Sequence, residues 1–418
     1  MVWDHDESHC PLEAVDRRLR DVHYFWLQAN RAYFDPDQFR LSIQAAIQTA
    51  RQVTFLLQKH KDIIPNFENW YEKGWRIKLA ADPLMKWMVE ARNRIEKQGD
   101  LEAHSFVCAE VMASYLDEGP KIQVPANLWH GPAELVKSIP DSLMGLHIKK
   151  NGILKIRRRW IENTLPELEL LDAVAIAYGK LAQLVSDAHV HMGLPDLVDT
   201  GEQYSKNNCE GRLPCMIGHE DARTLNIWLA TGKPLEFETI HTEINHSVIA
   251  DPTTKYGINL KKIFAKRDKT QDYARSIFAA ARKIFEKDGY HSTIAILLRQ
   301  CRPIGFQELR PVEHGHKYMI MRLLAQEAQK IGADAVILIS ESWMTSVNPS
   351  KLYMCAADSP NREEFLTATA ISKKAPPLML QARILRSGKK ARLGQTHEEI
   401  GGIHFAFAPL YKIWRTPL

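Results

Sequence analysis

The sequence lacks any long apolar run. Its 418 residues are 45% apolar and 25% charged, and no stretch reaches the eighteen or so uncharged apolar residues of a membrane-spanning helix. Residues 1–6 are polar and acidic, unlike a secretory signal. We therefore expect a cytoplasmic protein with no membrane partner, and the length predicts two or three domains.

Cysteine is scarce, and its spacing is irregular. The six cysteines form no Cys-x-x-Cys pair, which fits a reducing compartment and no disulfide framework. Histidine and cysteine are the ligands that zinc prefers, and some lie close in sequence: His5, His9 and Cys10 (with Cys209 or Cys215 as further ligands), His189 with His191, and His314 with His316. None of these spacings matches a common zinc pattern. We expect structural or surface roles for these side chains, no bound metal and no cofactor.

Four common catalytic motifs are also absent. The sequence contains no Gly-x-x-x-x-Gly-Lys-Ser/Thr, no Gly-x-Gly-x-x-Gly, no Gly-x-Ser-x-Gly and no His-Glu-x-x-His. Their absence disfavours P-loop nucleotide hydrolysis, Rossmann cofactor binding and the common hydrolase chemistries.

Positive charge is present but unevenly placed. The net charge of +5 is mild and predicts no polyanionic partner by itself. Residues 147–160, however, contain no acid and several cations, which include Lys149, Lys150, Arg157, Arg158 and Arg159. The tail from Lys373 is basic as well. Such a cluster can bind phosphates, or it can simply solubilise edge strands. We assign these five cations to a nucleic-acid-binding surface.

Helical spacing dominates the first hundred residues. Apolar residues recur every three or four positions over 12–33. Asp35-Pro36 and Asp82-Pro83 each place an N-cap carboxylate before a helix-starting proline, and a further helix is expected from Asn66 to Leu79. These four helices predict a bundle of antiparallel neighbours, on which a long helix from Pro166 to about Val190 docks.

The spacing of apolar residues changes outside these predicted helices. Residues 146–160 alternate Ile or Leu with Lys or Arg around Asn151-Gly152, which predicts a β-hairpin with a tight primed turn. The apolar residues within Phe106–Tyr115 have a spacing compatible with a helix, which we predict there. The region 193–269 is irregular; its strand candidates are Leu225–Leu229, Leu235–Ile240 and Ser247–Ile249, and Gly201–Pro214 is a candidate linker.

The segment 270–418 has the pattern of a separate domain. A helix begins at Thr270 and ends before Gly289, which suits the left-handed C′ position. The strand Ser292–Leu298, the helix Tyr318–Ile331 and the buried strand Ala333–Ser340 then predict a right-handed parallel crossover. Later strands follow without helices between them, so we expect a mixed sheet with antiparallel additions.

These patterns predict an α+β fold in three consecutive parts. The first is a helical bundle over residues 1–192, with the β-hairpin 146–160 as an insertion. The second is a connecting region over 193–269, and the third is a mixed α/β domain over 270–418.

One helix carries the residues that indicate a chemistry. Arg92 and Asn93 lie near the end of the helix that begins after Asp82, and Lys97 follows ahead of a glycine stop at Gly99. This layout resembles that of the HEPN family, RNase-type helical bundles whose motif is Arg-polar-x-x-x-His late in a helix. The resemblance implies that Arg92 binds phosphate, that Asn93 orients it, and that Lys97 occupies the place of the family's proton-transferring histidine. It covers about a quarter of the chain and also implies a homodimer.

The change from histidine to lysine alters what this motif can do. A metal-independent RNase needs a base for the ribose 2′-hydroxyl and a cation or acid for the phosphorane. A lysine is ordinarily protonated at neutral pH, so Lys97 suits phosphate binding better than proton abstraction. Arg94 lies between Arg92 and Lys97 and adds phosphate affinity. Alternatively, these side chains only complement the negative end of the helix dipole.

A carboxylate in the last domain offers a different chemistry. Glu341 follows directly on the buried strand, at the carboxyl end where open α/β sheets place ligands. It can serve as an acid, a base or a ligand, or it can be a structural carboxylate that pairs with Arg362 or Arg383. Asp334 lies at the other end of the strand, so no second carboxylate completes a nuclease centre.

The leading functional hypothesis is a nucleic-acid-binding protein with RNA preferred over DNA. The resemblance implies an RNase-like or degenerate HEPN component of a microbial defence or toxin system, and any cleavage would be metal-independent. The competing hypothesis is a non-enzymatic scaffold or assembly subunit that binds proteins. A third hypothesis is an enzyme that works through Glu341.

Overall fold

The chain forms two units, each built from several segments. The computed structural model describes residues 10–116, 121–124, 132–137, 139–195, 211–218, 222–235, 255–263, 265, 267–346, 356–388, 390–402 and 404–414. The first unit comprises Met1–Ala109, Lys121–Pro140 and Lys155–Asn226; the second comprises Glu110–Pro120, Asp141–Leu154 and Ile227–Leu418. The fold class is α+β, as expected, with N-terminal helices followed by antiparallel strands.

Helices open the chain, and strands begin at Ala103. The helices are α1 (Glu13–Arg31), α2 (Pro36–Lys59), a π-helical segment (Glu68–Trp75) that continues into α3 (Arg76–Ala81), α4 (Pro83–Gln98), α5 (Pro132–Lys137), α6 (Leu146–Asn151), α7 (Leu170–His191), α8 (Leu260–Ile263), α9 (Thr270–Asp288), α10 (His314–Lys330) and α11 (Ala408–Trp414). The strands are β1 (Ala103–Met112), β2 (Lys121–Val124), β3 (Ile153–Glu162), β4 (Leu165–Glu169), β5 (Thr224–Trp228), β6 (Lys233–Pro234), β7 (Ile294–Arg299), β8 (Arg302–Glu308), β9 (Ala335–Met344), β10 (Glu363–Ser372), β11 (Leu378–Ser387) and β12 (Lys390–Ile400).

Carboxylates start two helices of the bundle where the sequence predicts them. The Asp35 side chain accepts a hydrogen bond from the N–H of Gln38 at 3.1 Å. The Asp82 side chain accepts from the N–H groups of Leu84 and Met85 at 3.0 and 3.1 Å. Each cap satisfies donors that a helix N-terminus leaves open, which fixes the starts of α2 and α4.

The expected third helix forms, but most of it is a π-helix. Its Glu68–Trp75 part makes the wider i to i+5 turn before α3 continues it. The indole N–H groups of Trp70 and Trp75 both donate to one carboxylate oxygen of Asp187, at 2.8 and 2.6 Å. These two tryptophans are five positions apart, so the π-turn brings both indoles to the same acceptor.

Helix α7 docks on the bundle, as the sequence predicts. Its apolar face packs against α1 and α2 in one buried cluster, and the Trp26 indole donates to the carbonyl of Leu171 at 2.8 Å. The helix begins at Leu170, later than predicted, because the Glu169 side chain caps it by accepting from the N–H of Leu171 at 2.9 Å. Pro166, the predicted start, lies in β4.

The predicted helix at Phe106–Tyr115 is wrong. Residues Ala103–Met112 form β1, and Ser105, Val107 and Ala109 are buried in alternation with more exposed neighbours. Burial that alternates with a period of two is typical of a strand with one face covered. This alternation is the better indicator here than the approximate helical spacing of the apolar residues in the same segment.

The predicted hairpin at 146–160 is also wrong. Helix α6 occupies its first half, and Gly152 has a φ of −76° as the residue after that helix, which is not a primed turn. Strand β3 then runs on to Glu162 and pairs with β4, so the chain reverses at Asn163-Thr164. The Glu162 carboxylate accepts from the backbone N–H of Thr164 at 2.8 Å and supports that reversal. The sheet that contains β3 has the order β2-β1-β3-β5-β6.

The sheet of the second unit has the order β12-β11-β10-β9-β7-β8, and every neighbouring pair is antiparallel. The predicted parallel crossover is therefore wrong. Strand β8, an unexpected hairpin partner of β7, reverses the chain at Gln300-Cys301 before α10 begins. Strand β9 consequently returns antiparallel to β7.

Helices cover both faces of this sheet. Helix α9 packs on one face against residues such as Ile296 and Ile337, whereas α10 and α11 pack on the other against residues such as Leu297 and Val336. Neighbouring residues of one strand thus face opposite layers, which explains why β7 and β9 are unbroken apolar runs in the sequence.

Several expectations fall outside the described residues. The strand candidate Ser247–Ile249 lies there, as do most of Leu235–Ile240 and of the linker Gly201–Pro214. The strand candidate at 225–229 is confirmed as β5. Across the described ranges, no helix combines the length and the apolar character that crossing a lipid bilayer requires.

Candidate nucleic-acid interface

Arg92 lies on α4 at the edge of a groove on the first unit. The groove has a volume of about 260 Å³ and is lined by Gln48, Arg51, Gln52, Phe55, Arg92 and Glu96. The Arg92 guanidinium forms an ion pair with Glu96 at 2.7 Å, one helical turn away, and donates to the Asn93 side chain at 3.1 Å. Arg92 therefore lies at an open surface, where the carboxylate of Glu96 partly neutralises its positive charge.

Arg51 adds a second cation to this groove. Its guanidinium lies 4.3 Å from the centre of the Phe55 ring and donates to the Thr54 hydroxyl at 3.1 Å. Burial lowers the pKa of Arg51, and the positive charge of Arg92 lowers it further. Two arginines that repel each other and an exposed ring favour an anion with a flat group attached. Arg51 and Phe55 were not among the predicted site residues, because nothing in the order of residues brings α2 to Arg92.

The other residues of the motif are not part of the groove lining. Lys97 is exposed in the last turn of α4. Arg94 instead turns towards β3, where its guanidinium lies 3.4 Å from the buried Glu162 carboxylate and 3.0 Å from the Thr164 hydroxyl. Five positions along an α-helix leave Arg92 and Lys97 about 140° apart, which is the spacing that the HEPN motif itself has.

The three consecutive arginines of β3 point to two different environments. Arg157 and Arg159 are exposed, whereas Arg158 is 0% exposed, with its guanidinium 4.9 Å from the centre of the Trp160 ring. Burial lowers the pKa of Arg158 to about 10. Alternation along a strand places neighbouring side chains on opposite faces. The assignment of Arg158 to a nucleic-acid surface is therefore wrong, while Arg157 and Arg159 remain on the surface.

An exposed aromatic ring lies on the strand next to these arginines. Phe106 of β1 is 54% exposed and contacts the His104 ring edge-on, with 4.9 Å between ring centres. The N–H of Asn163 donates to the carbonyl of Glu102 at 3.1 Å, so the start of β1 lies beside the end of β3. Phe106 lies four residues after Glu102 on β1, and Arg159 lies four residues before Asn163 on β3.

This spacing places Phe106 opposite Arg159 on the neighbouring strand, and both side chains are exposed. With Arg157 they form what we call the sheet face: Phe106, Arg157 and Arg159. No ion pair holds either of these arginines within the part of the chain that the structure describes. Phe106 was not a predicted site residue because its strand has helix-like spacing; the alternation at 103–109 is the signal that would have found it.

The two lysines assigned to the same basic cluster lie elsewhere. Lys149 and Lys150 are on α6 in the second unit. Lys149 lies 3.8 Å from the Asp141 carboxylate, and Lys150 forms an ion pair with Asp358 at 2.7 Å. Since the predicted hairpin does not form, these lysines and the arginines of β3 do not share one ribbon.

Glu341 belongs to an ion-pair network in the second unit. One carboxylate oxygen accepts from the backbone N–H of His291 at 2.5 Å, and the other lies 3.3 Å from the Arg386 guanidinium. Arg386 also forms two bonds of 2.6 Å with Glu364. Burial raises the pKa of Glu341, and the nearby Glu364 raises it further. The partner is Arg386 rather than Arg362 or Arg383, and both oxygens of Glu341 are already engaged.

The histidines noted in the sequence have specific hydrogen-bond partners. His191 bonds the carbonyl of Pro65 at 2.6 Å and stacks on Trp70. The rings of His314 and His316 lie near the Tyr318 hydroxyl (3.1 Å) and the Val312 N–H (3.2 Å). Burial lowers the pKa of His314 to about 4.

His189 faces the other way from His191 and contacts Asp16. Its Nε2 atom lies 3.0 Å from an Asp16 oxygen, and Cys10 donates to the other oxygen at 3.7 Å. Cys215 lies 3.0 Å from His23 instead. His5, His9 and Cys209 lie outside the described residues.

Comparisons with known proteins give one family. A family model described as bacteriophage lambda protein ea47 matches residues 4–418 of the chain. Protein ea47 of Escherichia phage lambda is 31% identical over 336 residues, which cover 79% of this chain and 78% of the phage protein. No solved structure matches the chain.

Proposed function

The chain belongs to the family of the bacteriophage lambda protein ea47, and we propose that it binds single-stranded nucleic acid, with RNA preferred over DNA, on the sheet face. The observation that carries the proposal is an exposed Phe106 ring beside two exposed arginines on the neighbouring strand. Neither arginine has an acidic partner among the described residues.

The chemistry of the sheet face suits a flexible strand of nucleic acid. Every base has a flat face that can stack on an exposed aromatic ring, and unstacked bases are available only in single strands. Arg157 and Arg159 are two residues apart on one strand, so their side chains emerge about 6.6 Å from each other on the same face. They can therefore contact the backbone phosphates of a strand whose base stacks on Phe106.

The groove around Arg92 provides a second contact of the same kind. Arg51 and Arg92 offer positive charge, and Phe55 offers an exposed ring. The resemblance to the HEPN motif supports Arg92 as a phosphate contact. We do not extend the proposal to cleavage, because Lys97, in the place of the family's histidine, does not line the groove. An RNase-like role in a defence or toxin system stays a prediction, as does a homodimer.

The experiment measures the affinity of a labelled single-stranded RNA oligonucleotide by fluorescence anisotropy. We expect Phe106→Ala to weaken binding about 10-fold, because the loss of one base–aromatic stack costs about 1–3 kcal/mol. Tyr24→Ala is the matched control, since Tyr24 is a similarly exposed ring (57%) on α1. Arg92→Ala tests the groove, with Arg17→Ala as its control because Arg17 also pairs with a glutamate one turn away.

Three outcomes are decisive. Weakening by Phe106→Ala but not by Tyr24→Ala supports the sheet face. Weakening by Arg92→Ala alone moves the binding site to the groove and contradicts the sheet face. If the unaltered protein binds neither single-stranded RNA nor single-stranded DNA, the proposal fails and the alternative, a protein-binding scaffold, becomes the better account.

A further inference from the structure

We propose that Cys10, Asp16 and His189 bind one divalent transition-metal ion, with zinc as the best fit. Cys10 lies three positions before the start of α1, Asp16 lies on α1, and His189 lies near the end of α7. One ligand atom from each of the three residues lies within 4.8 Å of the other two. Sulfur, oxygen and nitrogen donors together match the ligand preference of zinc.

The two nitrogens of His189 show why a cation belongs at this point. The Nδ1 atom lies 2.8 Å from the backbone carbonyl of Pro195. A carbonyl only accepts, so Nδ1 carries the hydrogen of this bond. In neutral imidazole Nε2 then presents a lone pair, yet it faces an Asp16 carboxylate oxygen at 3.0 Å. Two acceptors at this distance need a positive charge between them, either a proton or a metal ion.

Cys10 distinguishes these two possibilities. Its sulfur lies 3.7 Å from the second oxygen of Asp16 and within reach of the same point as Nε2. With a proton between Nε2 and Asp16, the Cys10 thiol only donates a weak hydrogen bond to the second carboxylate oxygen. With a metal ion there, all three side chains bind one cation, which replaces the proton on Nε2 and the proton of the thiol. The carbonyl bond at Nδ1 is also the outer contact that metal-bound histidines commonly make.

The separations are close to those of a tetrahedral site. Zinc bonds of 2.0–2.3 Å to nitrogen, oxygen and sulfur place neighbouring donors about 3.2–3.6 Å apart. The observed contacts are 3.0 Å between His189 Nε2 and one Asp16 oxygen, and 3.7 Å between the Cys10 sulfur and the other Asp16 oxygen. Asp16 and His189 are only 7% and 4% exposed, so an ion there would be largely shielded from solvent. Three protein donors leave a fourth position, which water can occupy.

The consequence for the protein is a cross-link between the ends of two helices. The ion would join Cys10 and α1 to the last turn of α7, all within the first unit. It would thereby stabilise the bundle that carries the groove, because a ligand bound only by the folded state favours that state. This role is independent of nucleic-acid binding.

The test uses the full chain, treated with chelator and then titrated with cobalt(II), which gives a thiolate-to-metal absorption band when it replaces zinc. We expect saturation at one cobalt per chain, displacement by zinc, and a thermal unfolding temperature that rises with the metal. Cys10→Ser should abolish the thiolate band and weaken zinc binding by at least about 10-fold, because it removes a direct ligand and not only an outer contact. Cys215→Ser is the matched control, since Cys215 also lies beside a histidine.

Asp16→Asn and His189→Gln complete the set and should weaken zinc binding as Cys10→Ser does. Circular dichroism identifies any variant that fails to fold; Cys10 is partly exposed, so its serine variant is the safest for the fold. The proposal is overturned if the unaltered chain shows no saturable thiolate band. It is also overturned if Cys10→Ser keeps the band, or if Cys215→Ser removes it.

Discussion

Glu169 is a buried carboxylate that holds several parts of the first unit together. It caps α7, accepts from the Tyr33 hydroxyl at 3.1 Å and lies 3.5 Å from the Arg223 guanidinium. Burial raises the pKa of Glu169 from 4.5 to about 7, because the loss of hydration outweighs the attraction of Arg223. The group therefore links the stability of the bundle to pH.

The sign of this linkage gives a prediction. Between pH 4.5 and about 7 the folded chain retains a proton on Glu169 that the unfolded chain releases. The free energy of unfolding therefore falls as pH rises through this window, by at most about 3 kcal/mol. The variant Glu169→Gln keeps an oxygen acceptor for the cap but has no group that titrates at this position. We therefore expect its free energy of unfolding to fall less as pH rises through this window. Urea unfolding from pH 4.5 to 8 measures it; parallel curves for the two proteins would contradict the assignment.

Local sequence predicts some contacts of single residues and not others. Asp35 and Asp82 are recognisable as caps because their partners lie within a few positions in the chain. Arg94 pairs with Glu162, and Glu341 pairs with Arg386, across separations that only the folded chain determines. Arg362 and Arg383 are reasonable partners for Glu341 by sequence, yet Arg383 pairs with Glu363 instead.

Among the elements, β3 shows how the alternation of side chains along a strand determines which arginines are exposed and which are buried. The sequence Arg157-Arg158-Arg159 looks like one basic cluster, but the pleat turns its middle residue into the core. There the guanidinium of the long side chain lies over the aromatic rings of Phe34 and Trp160. The outer two arginines are left for solvent or a ligand.

Stability measurements can check this division. Arg158→Ala removes a fully buried side chain, and we expect a loss of about 2–4 kcal/mol in the free energy of unfolding. Arg157→Ala and Arg159→Ala should change it by less than about 0.5 kcal/mol, as exposed substitutions usually do. Chemical denaturation of the three variants provides the comparison. Equal effects at all three positions would show that the strand does not alternate as described.

Helices are easier to predict than strands in this chain, for a physical reason. Helix bonds are local, so caps and apolar spacing identify α2, α4, α9 and α10 from sequence. Strand partners can be distant, and β8 escapes prediction because it contains Pro303 and Gly305, residue types that are depleted in strands. The Asn151-Gly152 pair is typical of a hairpin, but in this protein it follows a short helix, and the real reversal has no glycine at all.

At the scale of the molecule, the two units are not consecutive stretches of sequence. The chain passes between them several times, whereas the sequence suggests three successive parts over 1–192, 193–269 and 270–418. That three-part division stays a prediction. The sheet face and the groove both belong to the first unit, which makes this unit the one in which to test nucleic-acid binding.

The most direct test of the central claim is the salt dependence of single-stranded RNA binding. For single strands the logarithm of the binding constant falls with the logarithm of salt concentration by about 0.7 per phosphate contact. The double variant Arg157→Ala/Arg159→Ala should therefore reduce the magnitude of the slope by about 1.4. The variant Arg17→Ala/Arg31→Ala removes the same charge from α1 and should leave the slope unchanged. Equal slopes for all three proteins would contradict a phosphate-binding sheet face.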